Sequence, residues 1–170
     1  MHYHHHEHAH FGVLLLLIVV TALTGVGTFT YHWAELKAFG LAVTSFPIYP
    51  WNHGDFSDME PWNKCVVVVM LMAFSAELLM VLWTIAAIVL LRHNPHSHGL
   101  HFLISLFISI CLWIGVIVWA ADYDRMPNTV PASLSLGWSW GLSLTAAILS
   151  LLMLVASAFG FHKARHHHHH

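Results

Sequence analysis

The run C-V-V-V-V-M-L-M-A-F-S-A-E-L-L-M-V-L-W-T-I-A-A-I-V-L-L, residues 65–91, holds a single charged residue, Glu77, among side chains that are apolar on nearly every helical face. A helix rises about 1.5 Å per residue, so roughly 20 such residues cross the ~30 Å hydrocarbon of a bilayer. This run predicts a membrane span long enough to tilt or to extend beyond the lipid. Three further stretches satisfy the same requirement, residues 11–29, 102–121 and 136–161. The whole chain agrees with this reading: it is 58% hydrophobic and 8% charged, with a mean hydropathy of +0.67. Soluble domains carry about a quarter charged residues. The expected fold is therefore an all-α integral membrane protein, a single membrane domain over residues 1–170 built as a four-transmembrane-helix bundle.

The first span has histidines rather than Lys or Arg before it and no clear small-residue cleavage site at residues 28–31, so it is expected to remain as a mature helix rather than leave as a signal peptide. An even number of spans puts both termini on one side. Arg92, Lys163 and Arg165 concentrate there, while Lys37, Lys64 and Arg125 are mixed with Glu35, Asp55, Asp58, Glu60, Asp122 and Asp124 on the other. The positive-inside tendency then expects both termini in the cytoplasm. A net charge of −2 offers no basic field for nucleic acid.

The connections are unequal: the outer loops are residues 30–64 and 122–135, and the turn between spans two and three is residues 92–101. A long segment without structure is unusual in a compact protein, so the first loop should be ordered. Its stretch 36–49 is rich in Phe, Val, Thr, Ile and Tyr before Pro47 and Pro50, which suits a short strand or hairpin outside the membrane. Tyr31, Trp33, Trp51, Trp62, Trp119, Tyr123, Trp138 and Trp140 mark the water boundary.

Small residues spaced by four mark helix contacts in lipid. Gly137, Gly141 and Thr145 form such a stripe on span four, and Thr21, Gly25 and Thr28 a similar one on span one, so these two helices are expected to cross closely near the outer face. Glu77 is about 18 Å into its span, near the midplane, where an exposed carboxylate is costly. Three readings stay open: a neutral acid bonded to Ser105, Ser109, Thr145 or a backbone carbonyl; a proton or cation site; or a contact to a partner subunit. Cys65 and Cys111 are expected at different depths, too far apart for a disulfide.

Of eighteen histidines, none is expected inside a span, which excludes haem held between helices. His166 to His170 resembles an affinity tag. His2, His4, His5, His6, His8 and His10 read as a second tag or a metal-binding tail. The turn 92–101 carries His93, His96, His98 and His101, an H-x2-H-x-H-x2-H pattern whose alternative to a solvated surface is a weak site for Zn or Cu. No cofactor is otherwise expected.

The layout resembles the claudin and peripheral-myelin-protein-22 superfamily, with T-F-T-Y-H-W at residues 28–33, including Trp33 just beyond the first span, and S-L-G-W-S-W-G-L-S-L-T-A-A-I-L-S-L at residues 135–151. The claudin branch carries a G-L-W-x-x-C pattern with a second cysteine whose disulfide braces an extracellular sheet; the corresponding region here has Trp51, Trp62 and only Cys65. The resemblance therefore implies the broader group of channel auxiliary subunits and myelin or epithelial membrane proteins. It points to Trp33, Trp51, Trp62, Asp55, Asp58 and Glu60 as outer-loop contact residues, while the small-residue stripes give Gly25, Gly137 and Gly141 as helix packing positions.

The function expected is that of a non-enzymatic plasma-membrane protein acting through lateral or extracellular contacts with other membrane proteins or itself, as an auxiliary subunit, scaffold or adhesion protein, with membrane lipids around it. The alternative is an oligomeric proton- or metal-coupled transporter centred on Glu77, with cytoplasmic His clusters. Arg92, Arg125 and Arg165 are too dispersed to suggest an enzyme site.

Overall fold

The computed structural model describes residues 4–38, 41–49, 56–90, 97–125 and 133–166. Its main elements are α1 (His4–Phe29), β1 (Ala34–Ala38), β2 (Leu41–Phe46), α2 (Pro61–Leu90), α3 (Ser97–Asp122), β3 (Ser133–Leu136) and α4 (Trp138–His166), with short 3-10 turns at Phe56–Asp58 and Tyr123–Arg125. Each long helix contains a stretch long and apolar enough to cross a membrane. The helices pack in sequence, α1 on α2, α2 on α3 and α3 on α4, and α4 closes the ring on α1.

Local chemistry sets the helix ends. Pro61 opens α2 where its missing N–H costs nothing, and the Glu60 carbonyl accepts from the Lys64 N–H at 3.0 Å. At the end of α1, the Thr30 hydroxyl turns back to the Val26 carbonyl at 2.6 Å and so satisfies one of the last orphan acceptors.

The bundle interior mixes apolar side chains such as Leu17, Met70 and Leu112 with polar ones, and its outer surface is apolar. Thr24, Thr28, Glu77, Thr84, Ser105, Ser109, Ser143 and Ser150 are buried, whereas Leu15, Leu79, Leu82, Ile117, Leu152 and Phe159 are exposed. Lipid tails are as apolar as leucine, so burying Leu between these helices gains little, while a hydroxyl facing lipid would lose its partners. The apolar outer surface is thus what sets it apart from a water-soluble bundle.

The three strands form one antiparallel sheet in the order β2-β1-β3, with a bulge in the β1–β2 pairing between Leu36 and Lys37. The hairpin expected in residues 36–49 is present as β1 and β2, beginning two residues earlier. The third strand, β3, departs from the expectation of a loop running into a span at residues 133–136: S-L-S-L alternates with period two. Leu134 and Leu136 pack against the core, while Ser133 and Ser135 point to the other face with Glu35 and Lys37. Span four accordingly starts at Trp138 rather than at position 136.

The close crossing of α1 and α4 exists, but on a different stripe. A Cβ on Gly27 would overlap the Ser143 hydroxyl and crowd the Ser139 carbonyl. Gly25 instead faces Phe74 of α2, a Cβ on Gly141 would meet no neighbour, and Thr145 is exposed with its hydroxyl on its own helix. Gly27→Leu is expected to destabilise the bundle by about 1–3 kcal/mol, and Gly141→Leu to stay within roughly 0.5 kcal/mol. Thermal unfolding of both variants in the same detergent checks the contrast.

Candidate functional site

The sheet is fastened to the bundle by a joint between residues 30–33 and residues 137–139. The Gly137 N–H donates to the Trp33 carbonyl at 2.9 Å, and the Ser139 N–H donates to the His32 carbonyl at 3.0 Å. The Ser139 hydroxyl in turn accepts from the His32 N–H at 3.2 Å and pairs with the Thr30 hydroxyl at 2.7 Å. The His32 ring stacks on Trp138 with centroids 5.2 Å apart, and its Nδ1 pairs with the Ser45 hydroxyl at 2.9 Å. The two short sequence stretches that carried the family resemblance are therefore one structural unit.

Beneath this joint lies a tryptophan cluster. Trp33 is fully buried, its Nε1 donates to the Gly27 carbonyl at 2.5 Å, and its ring meets Trp119 edge-on at 5.2 Å. Trp62 also meets Trp119 edge-on, at 5.5 Å. Trp33, expected on a contact surface, is thus a core residue of the outer layer, and Trp62 is half-buried beside it. Trp51 and Asp55 lie outside the described residues. Asp58 and Glu60 are exposed where the chain enters α2; Asp58 accepts from the Ser57 hydroxyl at 3.1 Å. Gly25 and Gly137 both make close approaches, and Gly141 does not.

Two further features belong to the sheet. Glu35 and Lys37 sit side by side on β1, 3.9 Å apart. Leu41 and Val43 on the edge strand β2 are 73% and 64% exposed. Sequence alternation alone did not single these two out, because the bulge at Leu36/Lys37 offsets the pleat there.

Glu77 is fully buried within the bundle. Its Oε1 accepts from the Thr24 hydroxyl of α1 at 2.9 Å, and its Oε2 has no hydrogen-bond partner. This corrects the expected partners: Ser105 instead pairs with Ser157 at 3.3 Å and approaches the Met80 sulfur at 3.9 Å, and Thr145 is exposed. Because α2 is apolar on nearly all sides, its sequence could not show that the Glu77 face meets α1.

His101 was placed in a loop outside the spans, but it belongs to α3, within its apolar stretch. Its Nε2 lies 3.0 Å from the Thr84 hydroxyl, which itself donates to the Met80 carbonyl at 2.7 Å. With that proton committed, the imidazole Nε2–H is the donor to Thr84. His93, His96 and the His98 side chain lie outside the described residues. Among the described residues, no three His, Cys, Asp or Glu side chains converge as metal ligands. Cys65 is exposed and Cys111 buried, each as a free thiol.

No curated protein matches the chain. Over residues 1–169 it matches the family described as Tight junction protein, Claudin-like, in agreement with the four apolar helices and the sheet docked at one end of them. This protein belongs to that claudin-like family and is an integral membrane protein with four spans.

Proposed function

We propose that the protein is a non-enzymatic contact protein of the plasma membrane, acting as a scaffold, adhesion protein or auxiliary subunit through its sheet. In this reading both termini are cytoplasmic and the sheet is extracellular. The observation that carries it is the exposed pair Leu41 and Val43 on edge strand β2. An edge strand offers unpaired backbone donors and acceptors, and proteins usually protect such edges with charge. Here two aliphatic side chains stand on it, beyond the reach of the helices, which suits burial against another membrane protein or a second copy.

The test is Leu41→Lys combined with Val43→Lys in full-length protein displayed on cells. Proximity labelling between differently tagged copies, and of neighbouring membrane proteins, is expected to fall several-fold. Surface amount and thermal stability should stay at the parent level, because neither side chain packs on the core. Unchanged labelling would overturn the assignment of β2 as the contact strand.

A further inference from the structure

Glu77 and the sheet are at different levels of the molecule, and the contact function makes no use of the acid. It lies near the middle of α2, about 24 Å from the Pro61 end at 1.5 Å per residue. Three ways of stabilising a carboxyl at that depth can be compared. A basic partner from this chain is the first, and among the described residues no Lys, Arg or His forms an ion pair with Glu77. A basic residue from another subunit is the second, but the side chain is sealed inside its own bundle, with no exposed surface to receive one. A metal ion is the third. The hard cations that carboxylates bind take six or more oxygen ligands. Among the described residues, the one oxygen bonded to the carboxyl is that of Thr24.

What remains is the smallest cation. We propose that Glu77 is an intramembrane proton-binding site, with the proton resident on Oε2 while Oε1 accepts from Thr24. An ionised carboxylate at this position would lack both water and counter-charge, the arrangement that hydrocarbon opposes most strongly. The neutral acid keeps the Thr24 bond, and with it the link between α1 and α2. Apolar contacts in that seam include Phe74 against Gly25 and edge-on against Phe29 at 5.5 Å. The proton is thus the ligand that lets a carboxyl serve as a helix-to-helix bond in lipid.

The experiment uses full-length protein in nanodiscs at neutral pH. The glutamate carboxyls are labelled with 13C and read by infrared spectroscopy. A carboxylic-acid C=O band is expected that Glu77→Gln removes and that persists when Glu7, Glu35 and Glu60, the other three glutamates, are all replaced by Gln. Labelled glutamates giving carboxylate bands alone would overturn the proposal. Should Glu77→Gln fail to assemble, the acid band of the triple variant, whose one glutamate is Glu77, decides the matter without it.

Discussion

Gly137→Val is expected to abolish recovery of folded protein. A Cβ at this position would fall on the carbonyl group of His32, which is backbone and has no rotamer to escape into. The same few atoms carry the joint: the Gly137 N–H bonds the Trp33 carbonyl, and the His32 carbonyl receives the Ser139 N–H. Forcing them apart adds overpacking of about 1–3 kcal/mol or more to the loss of two hydrogen bonds worth roughly 0.5–1.5 kcal/mol each. Against a typical total stability of about 5–15 kcal/mol, that sum is a large fraction. Gly137→Ala should shift the same way by less, and Gly141→Ala, where a Cβ meets no neighbour, should behave as the parent. Gel filtration and thermal unfolding in one detergent would reveal the difference. A Gly137→Val protein that elutes and melts as the parent would refute the joint.

Trp33→Ala is expected to destabilise the outer layer by about 3–5 kcal/mol, the usual cost of emptying a buried aromatic site. The cavity would open between Trp119 and the end of α1, and the Gly27 carbonyl would lose its indole donor. Trp33→Phe fills most of the space and forfeits only the hydrogen bond, so it should recover most of that loss. The melting temperature of the two variants, together with the near-ultraviolet circular dichroism of the Trp33–Trp119–Trp62 group, measures both effects. A surface role for Trp33 makes the opposite prediction: Trp33→Ala would melt like the parent and lose only association.

The contrast between these two positions shows how differently sites can be read from a chain. Gly137 stands in a small-residue stripe, and the structure uses its smallness against the backbone of His32 and Trp33, just before β1, rather than against a helix. Trp33 was marked by its place just past a span. Such a place suits an interfacial anchor, a contact residue or a core residue alike, and only its burial against Trp119 of α3 selects the last.

Hydrocarbon imposes a requirement on length and polarity that each span must meet by itself, so four helices, their order and an ordered first loop could be read from local composition. The hairpin in that loop was legible for the same reason, since β1 and β2 are neighbours in sequence. β3 was not, because Ser133–Leu136 becomes a strand only by pairing with β1, nearly a hundred residues earlier. Which face of α2 carries Glu77 inward, and that Thr24 receives it, likewise depended on the rotation of one helix against another. A helix apolar on nearly all sides encodes its depth in the membrane but not its rotation, and rotation is set only when the whole ring of helices closes.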